Sequence, residues 1–540
     1  MTKESNRIKQ DWEVIVIGTG VGGATIGHTL AKAGKEVLFL EQGRSYLNNP
    51  EAKLGAYAEM FFPQVAVPDL KHRSLLEQAG RWTGFLDDNS SGRSKQHIPF
   101  IGAGTGGSSA IYGAALERFF PEDFKPRENY PNVGNVDLPP TWPIQYEELL
   151  PYYREAESLY GVRGGGDPLR EDSEESGLAT APEFGPANQF LADFLTKKGL
   201  HPYRLPTACE FLPGCQTCQG FLCARDCKGD SVKACLRPAI EQHGATLMDR
   251  CLVTRLEADS KRVTSVVCNH QGSERVFRSE IVILAAGALS TPAILLRSTS
   301  PVWPQGLANS SGLVGRYLMR HCIDLYALSP KVKPAPNENT KELAFNDLYF
   351  RDGEKLGTVQ SFGRLPPSAM LAESVQHDIA QQFGPTASTL FRAIKPAARE
   401  MMRRLLKDTL VLATTMEDLP VRENRVTPNG LDGITISYLL NDQTRQRISR
   451  FRELMADTLK PLRYTLIKQA ENNDRIAHAC GTCRMGEEPG SNVIDRNNRA
   501  HDLDNLYLVD SSFFPTSAGT NPSLTIAANA LRVADHILGK

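Results

Sequence analysis

No stretch of this 540-residue chain is apolar for long enough to cross a bilayer. Its longest uninterrupted apolar run, Ile281–Leu289, has nine residues, where a spanning helix needs about 20. The opening MTKESNRIKQ lacks the apolar segment of a secretory signal and any paired arginines, so a cytoplasmic location is expected. Neither sign of charge dominates: 61 Lys+Arg stand against 62 Asp+Glu, a formal net charge of -1. A protein that neutralises nucleic-acid phosphates needs a net basic face, and this balance supports none. Solenoid-period repeats and low-complexity tracts are missing, as are a P-loop, a nucleophile elbow and a metalloprotease motif. What remains is globular. A content of 41% hydrophobic and 23% charged residues excludes a disordered or fibrous chain. A length of 540 residues is too much for one simple core and implies two or three domains. Cysteine runs against these shortages: six of the 11 fall between Cys209 and Cys235.

Near the start, Glu13 to Ile17 is rich in β-branched residues and ends at glycine, which predicts a buried parallel strand. Gly18-Thr-Gly20-Val-Gly22-Gly23 follows, then a helix over Ala24 to Ala33 closed by Gly34, then a second strand ending at Glu41. Each part has a physical use for a dinucleotide. Gly18 permits the tight turn, Gly20 lets backbone N–H groups approach a pyrophosphate, and Gly23 lets helix and strand pack closely. Glu41, 23 residues after Gly18, is placed to accept hydrogen bonds from a ribose diol. An acid there argues against a 2′-phosphate and so against NADP. This motif does not choose between FAD and NAD.

Two later segments bear on that choice. His97 to Ala114 (HIPFIGAGTGGSSAIYGA) is a glycine/serine loop with few side chains, able to let a planar ligand lie against bare backbone. The C-terminal region carries HACGTCRMG from His478, SNVID ending at Asp495, NLYLVDSSFFPT from Asn505 and GTNPSLTIAANALR from Gly519. Between them lie Trp142-Pro-Ile-Gln-Tyr-Glu-Glu-Leu-Leu-Pro-Tyr-Tyr, Ala285-Ala-Gly-Ala-Leu-Ser-Thr-Pro and Gly312-Leu-Val-Gly-Arg. In these segments the chain resembles the glucose–methanol–choline (GMC) family of FAD flavoproteins. The matches cover roughly residues 12–46, 97–157, 250–321 and 475–538, in the family's order.

The resemblance implies an α/β protein of pyranose-oxidase-like architecture. A Rossmann-like FAD-binding domain would be assembled from 11–50, 90–125, 230–325 and 475–540. A sheet-based α+β substrate domain with its connecting loops would take 51–89, 126–229 and 326–474, including the Cys-rich segment 209–235. It also implies non-covalent FAD, because the histidine through which some relatives attach flavin has no secure match. By the same resemblance Gly18, Gly20, Gly23, Glu41, Ala286, Gly287 and Pro522 bind the cofactor, with Gly104, Gly107 and Ser108 near the flavin ring. Val253 would meet the adenine through its backbone and Asp510 the pyrophosphate or ribityl chain. The family often has Asn where Tyr112 stands, which leaves contacts there open.

Oxidising an alcohol requires removal of the hydroxyl proton while a hydride leaves the same carbon for flavin N5. A free hydroxyl is too weak an acid at pH 7, so a positioned base is needed, and imidazole titrates in the right range. By resemblance, His478 is the general base and Asn521 the amide that orients the substrate oxygen and stabilises charge developing on it. His321, His501 and His536 read instead as a loop after a helix, a turn and a helix face. Arg484 and Asp495 read as loop-fixing residues.

The cysteines stay open. Cys215, Cys218, Cys223 and Cys227 form C-x2-C-x4-C-x3-C, for which zinc, an iron–sulfur cluster, disulfides and reduced thiols all compete. Lys228 stands where the iron–sulfur pattern of some sugar dehydrogenases usually has Pro. Gly164 to Pro168, with Glu171 to Ser176, is a polar loop. From Pro396 toward Leu410, basic and apolar residues alternate as in an amphipathic helix, either packed on the domain or in peripheral contact with a membrane. The expected function is an FAD-dependent oxidoreductase acting on a sugar, glycoside or other small alcohol, with oxygen or another compound as electron acceptor. Two other functions compete: a lyase keeping FAD structurally, and an iron–sulfur-linked subunit passing electrons to a cytochrome.

Overall fold

The computed structural model describes residues 9–61, 70–90, 92, 94–131, 133–134, 136–171, 176–215, 217–335, 338–473 and 476–540. Residues 1–8 of the N-terminal segment and 172–175 of the polar loop lie outside them.

The run that ends at Ile17 is the strand Asp11–Ile17, and Val14 to Ile17 are buried. A strand enclosed on both faces has no polar side to show, which is why its sequence does not alternate. It lies inside a seven-stranded sheet, parallel to Val37–Leu40 on one side and to Ser273–Leu284 on the other. Thr246–Met248 closes one edge, parallel to Val37–Leu40. Ser273–Leu284 is 12 residues long and serves two partners in turn. Its first half pairs antiparallel with Val263–His270, which leads to the edge strand Cys251–Ala258. Its second half takes Leu506–Leu508 in parallel, so the C-terminal region completes a sheet begun at the N-terminus. The helix Val21–Lys32 packs against the last helix, Ser523–Ile537, and so closely against the backbone that follows Leu506–Leu508 that a Cβ on Gly22 would overlap the Val509 carbonyl oxygen.

A second sheet is antiparallel throughout, in the order Arg463–Ile467, Cys322–Ser329, Leu410–Met416, Gly357–Ser361, Leu343–Phe345, Tyr203–Arg204. Cys322–Ser329 crosses the boundary expected at residue 325 and belongs wholly to this sheet. Its faces divide by alternation. Tyr326 and Leu328 meet the helices Pro186–Lys197 and Asp442–Leu459, whereas Leu325 and Ala327 look to the other side with Ile323, Phe362 and Leu406.

That other side is covered by the helical segment Ser368–Leu405, which breaks at Gly384, where φ is 85° and ψ 176°. Gln376 Nε2 reaches Ser388 Oγ at 3.4 Å. Twelve residues of straight helix would separate them by about 18 Å, so the segment folds back into a two-armed hairpin. The amphipathic helix expected from Pro396 to Leu410 is the end of the second arm. It stops at Leu405, and Leu410 instead opens a buried strand whose carbonyls and N–H groups are taken by the sheet.

Candidate active site

The glycine turn at the end of Asp11–Ile17 presents one open position. Cβ atoms on Gly18, Gly22 or Gly23 would collide with backbone, whereas one on Gly20 would meet no atom within 4 Å. Gly20 caps the N-terminus of Val21–Lys32, whose first N–H groups have no intrahelical partner, so the open space is electropositive and fits a pyrophosphate. Glu41 is buried at the end of the neighbouring strand, and burial raises its pKa. Its Oε2 accepts from Thr19 N at 3.1 Å and Thr19 Oγ1 at 2.6 Å, and its Oε1 from Gly43 N at 3.0 Å. The carboxylate thus fixes the turn; a ribose diol would share these oxygens. Cys251 N–H bonds the Glu41 carbonyl at 2.8 Å, which brings Val253, on the sheet edge, to the same end.

The expected flavin loop packs on this turn, Gly107 directly over Gly20 and Gly104 beside Arg44. Ser108 Oγ accepts from Gly102 N at 3.2 Å. Tyr112 sends its hydroxyl to the Gly229 carbonyl at 2.6 Å, so it ties the loop to the Cys-rich segment. On the other flank Asp510 accepts from Gly287 N at 2.9 Å, Thr291 Oγ1 at 2.5 Å and Ser512 N at 2.8 Å. Ala286 and Pro522 cap the helices Gly287–Arg297 and Ser523–Ile537. The residues present fit a dinucleotide such as FAD: an open glycine at a helix N-terminus, an acid at the second strand, and bare backbone beyond.

His478 stands at φ 57°, a left-handed conformation costing of order 1 kcal/mol in a non-glycine residue. Backbone pairing holds it there. Met319 and Cys480 exchange both N–H···O bonds at 3.0 Å, and His321 N–H reaches the Ala477 carbonyl at 3.0 Å. This register sets His321 beside His478, Nδ1 to Nδ1 at 2.8 Å. His321 Nε2 lies 3.0 Å from the carbonyls of both Ser517 and Ala518. Carbonyls only accept, so Nε2 carries the proton, and burial lowers the His321 pKa and keeps the ring neutral. Its Nδ1 must then accept, from His478 Nδ1–H, which leaves Nε2 as the basic atom of His478. Burial, with His321 and Lys341 nearby, holds the His478 pKa well below that of free imidazole.

Asn521 precedes the last helix and accepts on Oδ1 from Gln360 Nε2 at 2.7 Å, which frees its NH2 to donate. His478, Asn521 and Ser108 line one cavity of about 490 Å³. Lys341 lines it too, buried, with Nζ 3.0 Å from Gln219 Oε1 and its pKa pushed down to about 7 by burial. Sequence reasoning missed His321, Gln360 and Lys341, and dismissed His321 as a loop residue; no local motif marks any of them. The other dismissals agree with their surroundings. His501 donates to the Gly486 carbonyl at 3.0 Å, Asp495 bonds the N–H groups of Asn497 and Arg499, and Arg484 lies over the Tyr317 ring.

The cysteines of the expected run come together and Cys209 joins them: the buried sulfurs of Cys209, Cys215 and Cys227 all lie within 4.8 Å of one another, Cys223 Sγ is 3.5 Å from Cys227 Sγ, and Cys218 packs against the same cluster. Cys209 was missed because it precedes the C-x2-C spacing; the pairing of Cys209 with Lys228 brings it in. Sulfur separations of 3.3 Å (Cys209–Cys215) and 3.6 Å (Cys215–Cys227) are van der Waals contacts. They leave no room for several metal atoms, so these residues do not fit an iron–sulfur cluster.

Family models described as GMC oxidoreductase match residues 13–323 and 393–530. The chain is 29% identical to 6'''-hydroxyparomomycin C oxidase of Streptomyces lividus, over 97% of this chain and 92% of that protein. It is 27% identical to 2-methyl-1,2-propanediol dehydrogenase of Mycolicibacterium austroafricanum, over 97% and 95%. Among solved structures, pyridoxine 4-oxidase from Mesorbium loti superposes with TM-score 0.63 at 19% identity, covering 98% of this chain and 99% of that one. Formate oxidase from Aspergillus oryzae gives 0.65 at 15% identity, covering 99% of each.

Proposed function

The chain belongs to the GMC oxidoreductase family and is an oxidoreductase acting on CH–OH donors, and from that premise we propose that His478 is the base that takes the hydroxyl proton of a small alcohol. The observation that carries this reading is the hydrogen-bond chain from the Ser517 and Ala518 carbonyls through His321 to His478. It favours the tautomer with a lone pair on Nε2, and His478 lines the cavity that would take the substrate. FAD, which family membership implies, supplies the acceptor for the hydride leaving the same carbon. Asn521, its carbonyl occupied by Gln360, donates its NH2 to the substrate oxygen and stabilises the charge that grows as the proton departs. The Gly18–Gly23 turn and Asp510 would hold the cofactor, without a covalent link.

The test is anaerobic flavin reduction by a screen of alcohols. His478→Ala should keep its yellow flavin yet slow reduction at least about 100-fold. Near-normal reduction in that variant sinks the base assignment. If no alcohol bleaches the unsubstituted holoenzyme, a lyase with structural flavin replaces the oxidation reading.

A further inference from the structure

We propose that the alcohol is lipophilic, an aliphatic or alicyclic molecule with one polar end, and not a sugar or amino sugar; this rests on the oxidation proposed at His478. The cavity lining is mainly apolar, with His478, Asn521 and Ser108 among its few hydrogen-bonding side chains. An apolar wall is built from Ile323, Leu325 and Ile467 of the second sheet, from Leu371 and Met402 of the hairpin and from Leu406 just after it. Two independent elements therefore converge on one apolar surface, which sequence-distant strands and helices do by construction of the fold and not by a single substitution.

Thr465 and Gln469 line the cavity as well, but the aliphatic side chains of that wall offer a polyol no partners. Each sugar hydroxyl pressed against it would give up hydrogen bonds to water and gain none. Among the described residues no aspartate or glutamate lines the cavity, and the one lysine or arginine that does is Lys341. An ammonium group of an amino sugar would find a buried lysine and no carboxylate. An alkyl chain or ring loses nothing on the same wall and gains by leaving water. The hairpin also leaves Phe383, Leu390 and Ile394 exposed, so its apolar surface continues outside the cavity.

The experiment measures anaerobic flavin reduction in the holoenzyme by 1-octanol and cyclohexylmethanol against D-glucose and D-glucosamine. The two apolar alcohols should show second-order constants at least about 100-fold above the two sugars, since each buried methylene discriminates by about 10-fold or more. Met402→Glu and Leu371→Glu, at half-buried hairpin positions, should each lower the 1-octanol constant at least about 10-fold while flavin absorbance is retained. Equal or faster reduction by either sugar overturns the proposal. Binding is read separately in His478→Ala, from perturbation of the oxidised flavin spectrum. Saturable perturbation by 1-octanol and none by glucose supports the substrate class even if no alcohol reduces the unsubstituted enzyme, in which case the oxidation reading alone falls. If 1-octanol neither reduces nor perturbs the flavin, the substrate class falls.

Discussion

His478 depends on a residue 157 positions away, and that dependence gives the site a pH signature. His321 fixes which nitrogen of His478 is basic and, packed against it, helps keep it from water, the burial that depresses its pKa. A depressed base stays unprotonated as pH falls, so flavin reduction should hold its neutral rate until the pH drops below about 6.5, the free-imidazole value. His321→Ala removes both the acceptor and one of the depressing influences. The acid limb should then move to higher pH and the rate at pH 7 fall by about 10- to 100-fold, with flavin retained. His321→Asn, which can still accept from His478 and donate to the carbonyls, should recover part of the loss. A purely structural role for His321 would lower flavin content and leave the acid limb where it was. His478 and Asn521 could be named as candidates from the sequence because each sits inside a recognisable motif. His321 and Gln360 were not, because their placement comes from the Met319–Cys480 register and from a strand 161 positions before Asn521.

Elements differ in how openly they announce themselves. The strand, turn and helix over Asp11–Lys32 could be read directly, since a β-branched run, spaced glycines and a capped helix each have one local interpretation. The hairpin over Ser368–Leu405 could not be read as a hairpin: its break at Gly384 matters only because the second sheet offers an apolar face on which both arms can lie. The turn itself contains a contrast that a pair of variants can expose. Gly20 has an ordinary φ of -64° and open space before it, so Gly20→Val should purify colourless and melt like the flavin-free unsubstituted protein. Gly22 faces the Val509 carbonyl, so Gly22→Ala must move backbone and should lower stability by about 1–3 kcal/mol whether or not flavin is present. Flavin absorbance and a melting curve on each variant check both outcomes. A Gly20→Val protein that stays yellow would remove the pyrophosphate from this turn.

At the scale of the whole molecule, the loop that orients His321 is itself held by buried charge. Lys355 Nζ lies 2.6 Å from Asp123 Oδ1 and 2.7 Å from Glu417 Oε2, and all three side chains are buried. Glu417 accepts from Ala518 N at 3.1 Å, and Tyr349, which donates to Asp123, accepts from Gly519 N at 2.8 Å. The Ser517–Gly519 carbonyl platform is thus tied to residues from three distant segments. Charged residues scattered along a sequence read as surface, so this network is invisible until the fold assembles it. Lys355 holds the Glu417 pKa below the usual carboxylate range despite burial, while burial raises that of Asp123. Lys355→Met would leave two buried carboxylates without their cation, a loss of about 3–5 kcal/mol at pH 8. Both carboxyls would then have folded pKa values above their unfolded ones, and such groups stabilise at low pH and lose that contribution as pH rises. The variant should therefore recover stability on going from pH 8 to pH 5, and adding Glu417→Gln should restore part of the pH 8 loss. Denaturant unfolding at the two pH values measures this, and a loss that is equal at both would show that packing around Lys355, and not its charge, holds the platform in place.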